Sequence, residues 1–128
     1  MPHLKIEYTA NLDAHADVAG LCKTLSHTLV TLADGAGKPV FPLYGTRVLA
    51  YPATQYAVAD GEQARAFVYM NMRITAGRSA ALVQTIGDAV LAAAKAHLAP
   101  AIDKLPLRLT LHIDETPPAY EGKSSADW

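Results

Sequence analysis

Four stretches of the chain alternate hydrophobic and polar residues, a pattern typical of β-strands with one buried face. The first runs from about His3 to Tyr8, and the last, from Leu107 to Asp114, is the most regular. A second strand lies within Arg47 to Ala57, where Pro52 leaves its limits open because proline cannot donate to a sheet ladder. A third strand covers about Ala66 to Thr75.

Between these strands, hydrophobic residues recur at the spacing of two amphipathic helices. Asn11 or Asp13 is expected to cap the first helix, which runs through the low thirties and ends at the glycine- and proline-containing loop Asp34–Pro39. Ser79 is expected to cap the second helix, which runs to about Leu98. Their apolar faces comprise Val18, Leu21, Cys22, Leu25, Leu29 and Leu32 in the first helix, and Leu82, Ile86, Ala89, Val90, Ala93 and His97 in the second.

The order of these elements repeats a strand–helix–strand pattern within one domain, residues 1–128. The first β-α-β unit spans residues 2–57, the second spans residues 66–115, and a tail covers residues 116–128. Because each unit should pair its strands in parallel through a right-handed crossover, we predict an α/β (α+β sandwich) fold. It would contain a four-stranded sheet with both helices on one face. The other face would need cover, which a symmetric oligomer can supply.

Composition narrows the classes of partner. Only 18% of the 128 residues are charged, which is low for a small monomer and favours self-association. The formal net charge of −1, with acids and bases interspersed, predicts no nucleic-acid or membrane-surface binding. No apolar run reaches the roughly 20 residues of a membrane span. The single Cys22 excludes an internal disulfide, and these features together predict a cytoplasmic protein.

Several residue types that often carry chemistry have a structural interpretation here. The five histidines lack metal-ligand spacing, so no metal site is predicted. Cys22 lies on a helical apolar stripe and is expected to be a buried, unreactive thiol. The segment Gly35-Ala36-Gly37-Lys38 lacks the glycine and hydroxyl positions of a phosphate-binding loop, so it is interpreted as a helix terminator.

Pro2 allows two interpretations. It suits the first position of a strand, where its missing N–H costs nothing. Alternatively, removal of Met1, which a small second residue favours, would leave its ring nitrogen as a rigid terminal amine able to act as a base. The residue types alone do not choose between these two interpretations.

Two arginines follow glycine-containing breaks, in Tyr44-Gly45-Thr46-Arg47 and Ala76-Gly77-Arg78-Ser79. Arg78 is expected in the first turn of a helix, where a cation opposes the helix dipole. Such a placement indicates either an anion ligand or a neighbouring carboxylate, and the pattern favours neither.

The order of several short motifs resembles the 5-carboxymethyl-2-hydroxymuconate isomerase family of the tautomerase superfamily. The resemblance runs nearly end to end and rests on separated matches rather than on one decisive tripeptide. These are Met1-Pro2-His3, Glu7, Asn11-Leu12, Phe41-Pro42-Leu43, Gly45, Arg47, Ala59-Asp60-Gly61, Ala66-Phe67-Val68, Met70 and Ala76-Gly77-Arg78-Ser79.

The resemblance implies a cofactor-independent isomerase that forms a homotrimer. It assigns Pro2, freed by removal of Met1, as the general base, and Arg47 and Arg78 as ligands of a small carboxylic acid substrate. The substrate class is an unsaturated 2-hydroxy or 2-oxo dicarboxylic acid, foremost 5-carboxymethyl-2-hydroxymuconate from aromatic-acid breakdown. No metal or organic cofactor is expected.

Other family members carry an arginine and a histidine where this chain has Leu49 and Tyr51, so the exact substrate stays open. The loop Asp34–Pro39 is also longer than the family leads us to expect. One alternative is therefore a tautomerase acting on a different 2-oxo or halogenated acid. Another is a non-catalytic trimeric binding module, which would apply if Met1 is retained.

Overall fold

A computed structural model describes residues 2–124, and Met1 and residues 125–128 lie outside the described residues. The expected removal of Met1 and the end of the predicted tail therefore fall outside this description. The strands and helices, in chain order, are β1 (His3–Thr9), α1 (Val18–Thr31), β2 (Arg47–Ala53), β3 (Ala66–Ile74), α2 (Ala80–Ile102) and β4 (Leu107–Glu115). Short 3-10 helices occupy Ala10–Ala14 and Leu43–Gly45.

The strands form one mixed sheet in the order β2-β1-β3-β4. β1 pairs with β2 and β3 pairs with β4 in parallel, which confirms the predicted β-α-β units. The two units join through an antiparallel pairing of β1 with β3. Because of these directions, β1 and β2 begin at the same end of the sheet at which β3 and β4 end.

Both helices cover one face of the sheet, as predicted. The side chains of Leu4, Ile6 and Tyr8 on β1 are buried toward the helices, whereas those of the intervening polar residues are exposed. The buried helix residues are Val18, Leu21, Leu25 and Leu29 in α1 and Ile86, Val90, Ala94, Leu98 and Ala101 in α2. Burial of these apolar side chains is the main term that stabilises the layered arrangement.

Neither α1 nor α2 covers the opposite face of the sheet, called the open face below, which is mostly polar. Cross-strand hydrogen bonds join β3 to β4 here. The Tyr69 hydroxyl lies 3.0 Å from His112 Nδ1, and Asn71 Nδ2 donates to Asp114 Oδ2 at 2.9 Å. The partly exposed apolar residues on this face are Leu49, Tyr51 and Phe67. The predicted need for cover therefore applies to a polar surface with a few hydrophobic positions.

Pro52 lies inside β2, which the sequence pattern left uncertain. The sheet order explains why this is tolerated, because β2 is an edge strand and proline is confined to edges or strand ends. The strand runs from Arg47 to Ala53, which lies within the range of Arg47 to Ala57 given by the sequence.

The predicted cap of α1 at Asn11 or Asp13 is wrong, because Asp17 caps this helix. Asp17 Oδ1 accepts a hydrogen bond from Gly20 N at 2.9 Å. The two predicted capping side chains bond elsewhere, since Asn11 Nδ2 donates to the Arg65 carbonyl at 2.8 Å and Asp13 accepts from the Tyr8 hydroxyl at 2.9 Å. That contact and the burial of Tyr8 raise its pKa to about 12, burial being the larger cause.

Ser79 caps α2 as predicted, with its Oγ accepting from Leu82 N at 3.1 Å. The helix continues past the predicted end near Leu98 to Ile102, with Pro100 inside its last turn. Proline there forfeits one hydrogen bond just before the helix ends, which limits the cost of the interruption. None of the helices in the described part of the chain is long and apolar enough to cross a membrane.

Candidate active site

Pro2 stands directly before β1, which is a central strand of the sheet. Its side chain is buried, and its carbonyl oxygen accepts a hydrogen bond from Arg47 N at 3.2 Å. The backbone of Pro2 is therefore fixed against the start of β2. A nitrogen held in this way would occupy a defined position, as a positioned general base requires.

Arg47 is the first residue of β2 and is half-buried. The 3-10 helix Leu43–Gly45 leads into it, and Arg47 Nη1 lies 3.4 Å from the Gly45 carbonyl oxygen. Since Arg47 is in register with His3, its side chain belongs to the open face. The sequence placed a second strand within Arg47 to Ala57, and this strand begins at Arg47. The contact of Arg47 with the backbone of Pro2 was not predicted.

The sequence led us to expect Arg78 in the first turn of α2, but Arg78 lies before this helix. It precedes the cap Ser79 and so lies just outside the helix. Instead, Arg78 Nη1 donates to the Thr75 carbonyl at 2.8 Å and Nη2 to the Val40 carbonyl at 3.3 Å. These bonds use two of the five N–H donors that a guanidinium carries. Both partners are backbone carbonyls, so the anion interpretation of Arg78 stays a prediction.

Phe41 is a residue of this region whose role sequence reasoning missed. The Arg78 guanidinium carbon lies 4.8 Å from the centre of the Phe41 ring, within the range of a cation–π interaction. Phe41 is only 2% exposed, so the ring is a fixed support for the guanidinium. The chain sequence identified Phe41 only as part of a Phe-Pro-Leu motif and gave no indication of this contact.

The three predicted residues are linked by one segment and one end of the sheet. The segment 40–47 contacts Arg78 at its beginning, and its last residue, Arg47, contacts Pro2. In addition, β3 ends opposite the start of β1, so the 75–79 loop that carries Arg78 leaves the sheet at the Pro2 end. Pro2 and Arg47 are thus in direct backbone contact, and Arg78 reaches the same region through the Val40–Phe41 backbone and ring.

The glycine-containing loop Asp34–Pro39 and Cys22, which the sequence indicated to be structural, make structural contacts. Asp34 Oδ1 accepts from Ala36 N at 2.9 Å and from Lys38 N at 3.0 Å, so a carboxylate of the chain itself occupies the donors of the glycine-containing loop. Cys22 is partly buried against the core, and burial raises the pKa of its thiol, which disfavours the reactive thiolate. Within residues 2–124, no cluster of three or more His, Cys, Asp or Glu side chains is arranged to hold a metal ion.

Comparison with known proteins gives consistent matches along the chain. The family model described as 5-carboxymethyl-2-hydroxymuconate isomerase matches residues 2–126. A 5-carboxymethyl-2-hydroxymuconate Delta-isomerase from Escherichia coli is 31% identical over 125 residues, covering 98% of this chain and 94% of the relative.

Solved structures also match along most of the chain. A crystal structure of a 5-carboxymethyl-2-hydroxymuconate delta-isomerase has a TM-score of 0.94 at 40% identity, covering 98% of this chain and 89% of its own. A 5-carboxymethyl-2-hydroxymuconate isomerase from Deinococcus radiodurans R1 has a TM-score of 0.84 at 33% identity, covering 98% of this chain and 90% of its own. A fused 4-OT described as a symmetric trimer shares the fold, with a TM-score of 0.58 at 18% identity and 94% and 92% coverage. The chain therefore belongs to the 5-carboxymethyl-2-hydroxymuconate isomerase family.

Proposed function

We propose that this chain isomerises 5-carboxymethyl-2-hydroxymuconate with the nitrogen of Pro2 as the proton-transferring base once Met1 has been removed. The observation that carries this proposal is the position of Pro2, buried at the start of a central strand and hydrogen-bonded through its carbonyl to Arg47 N at 3.2 Å. Family membership supports isomerase chemistry over a non-catalytic binding module.

The proposed reaction needs only one proton-transferring group. A neutral Pro2 nitrogen takes the proton of the 2-hydroxyl, and a carbonyl forms at C2. The C2=C3 and C4=C5 double bonds are thereby replaced by a single C3=C4 double bond. The same nitrogen then returns a proton to the far carbon of the diene, C5, so that atoms and charge balance. General acid–base catalysis of this kind contributes roughly 10²- to 10⁴-fold in rate. A terminal amine titrates near ~8, so a minor fraction of about a tenth to a fifth is neutral at physiological pH.

Arg47 and Arg78 have the chemistry to hold the carboxylate beside the reacting hydroxyl. A guanidinium binds a carboxylate through two parallel hydrogen bonds and stabilises negative charge that develops on a neighbouring oxygen. Nearby cations also disfavour protonation of the Pro2 amine, which keeps the base available. The Phe41 ring and the Val40 carbonyl support the guanidinium of Arg78 in a fixed orientation.

The proposed substrate is tested by a direct assay. We expect the purified chain to accelerate the loss of the diene absorbance of 5-carboxymethyl-2-hydroxymuconate over the buffer rate, because base and cations lie at one end of the sheet. A 2-hydroxydienoate that has only the carboxylate beside the enol serves as the matched substrate. Faster turnover of that monoacid would support a different 2-oxo acid, an alternative favoured by Leu49 and Tyr51 on the open face. No acceleration with either substrate would contradict the proposed function.

We also propose that the chain forms a homotrimer in the cytoplasm. The open face, with partly exposed Leu49, Tyr51 and Phe67, supports assembly, and so does a fold shared with a protein described as a symmetric trimer. The single, unpaired Cys22 supports the cytoplasmic location. Sedimentation equilibrium at micromolar concentration should give about three times the 13.6 kDa chain mass. A stable species of one chain mass would contradict the trimer.

A further inference from the structure

We propose that a cationic cavity on the open face, built around Arg73 and His3, binds a carboxylate of the substrate distant from the reacting hydroxyl. This inference rests on the proposed function and deepens it. The name 5-carboxymethyl-2-hydroxymuconate describes a six-carbon diacid that carries an additional carboxymethyl group, which makes three carboxylates. Two arginines that hold the carboxylate beside the hydroxyl leave the distal carboxylates without a partner.

The register of the sheet places a row of basic residues next to Pro2. Arg47 on β2 is paired with His3 on β1, and His3 is paired with Arg73 on β3. Paired residues share a face, so all three side chains belong to the open face at the Pro2 end. With neighbouring strands about 4.8 Å apart, Arg47 and Arg73 stand roughly 10 Å from each other at the backbone. Two arginine side chains that start this far apart at the backbone can reach the two ends of an extended diacid.

A cavity of about 660 Å³ lies over part of this row. Such a volume is within the range of small-molecule sites. His3, Lys5, Asn71 and Arg73 form its floor, and the segment 116–122 of the tail contributes its wall. Arg73 Nη2 donates to the Thr116 carbonyl at 3.2 Å, which positions its guanidinium and leaves further N–H donors for a ligand.

The carboxylates around this cavity bond to other groups. Glu7 lies 3.6 Å from Lys5, and Asp114 accepts from Asn71 at 2.9 Å. Glu121 on the tail lies 2.8 Å from Lys123, which is the main reason that its pKa is lowered, with Arg73 a smaller cause.

The test compares Arg73→Gln with the control Arg108→Gln. Arg108 also lies on the open face, on the neighbouring strand β4, but at the other end of the sheet, where it is paired with Phe67. Arg73→Gln should raise the KM for the triacid at least about tenfold, the usual effect of losing a hydrogen bond to a charged group. Its kcat and its KM for the 2-hydroxydienoate monoacid should stay within about twofold. Arg108→Gln should change none of these values, and Arg73→Lys should restore part of the loss because it keeps the charge.

A binding measurement separates this inference from the proposed reaction. Calorimetric titration with adipate, a saturated six-carbon diacid, and with hexanoate needs no turnover. Wild-type chain should bind adipate more tightly than hexanoate, and Arg73→Gln should weaken adipate binding about tenfold or more without affecting hexanoate. Equal binding of the two acids by wild-type chain, or equal effects of Arg73→Gln on both, would overturn the inference. Failure of turnover together with the expected adipate result would reject only the proposed reaction.

Discussion

Chain that retains Met1 should turn over 5-carboxymethyl-2-hydroxymuconate at least about a hundredfold more slowly than chain that begins at Pro2. With Met1 attached, the nitrogen of Pro2 is part of an amide and has no basic lone pair, so the proposed base is lost while the substrate-binding arginines remain. Cell-free expression with and without added methionine aminopeptidase yields both forms from one sequence. Intact mass verifies the trimming, and kcat is then measured on each form.

Pro2→Ala is the matched control for this experiment. After removal of Met1 it presents a primary amine in a more mobile position, so activity should fall without vanishing. A ranking with trimmed wild type first, trimmed Pro2→Ala second and untrimmed chain last would identify the terminal nitrogen as the base. Equal activity of the trimmed and untrimmed wild-type forms would leave Pro2 with only the role of starting a strand.

Arg47→Ala and Arg78→Ala should each lower kcat/KM by roughly 10- to 100-fold, because each loses hydrogen bonds to a charged group worth about 1.5–3 kcal/mol. Their effects on stability should differ. Arg78→Ala also loses bonds to the Thr75 and Val40 carbonyls and the contact with Phe41, so we expect a lower free energy of unfolding by about 1–3 kcal/mol. Kinetics and thermal unfolding measured on the same preparations separate the two contributions.

Two further variants control this comparison. Arg78→Lys keeps the charge but not the forked geometry, so it should recover only part of the activity. Arg108→Ala, on the exposed side of β4, should leave both kcat/KM and Tm nearly unchanged. Kinetics of Arg47→Ala or Arg78→Ala that match the wild type would remove that arginine from the site, whatever its effect on stability.

The strands and their parallel pairing were predictable because alternation in segments such as residues 107–114 reflects one buried face. The order of the four strands was not, since it depends on the antiparallel contact between β1 and β3, which no local pattern encodes. The cap of α1 was misplaced for a related reason. Asn11 and Asp13 are good capping residues, but their side chains are bonded to Arg65 and Tyr8, one of them far away in sequence.

In the candidate site, too, some residues could be identified from the sequence and others only from the packed structure. Pro2, Arg47 and Arg78 were found through short motifs, whereas the role of Phe41 depends on a ring contact between residues that are distant in sequence. Arg73 was passed over, because a basic residue on the polar side of a strand is unremarkable until the register places it beside His3. Sequence patterns identify faces of elements, and only the packed sheet identifies neighbours across those faces.

The central position of β1 has a consequence for how the chain is made. β1 is paired on both sides and Pro2 is buried, so Pro2 is enclosed once the sheet has formed. One of the two partners of β1, the strand β3, ends at Ile74 and leaves the ribosome long after the amino terminus. At about 5–20 residues per second, synthesis of the chain from its start to Ile74 takes roughly 4–15 s. An aminopeptidase that acts on the growing chain has about this time before β1 can pair with β3, and the rate of elongation sets that time.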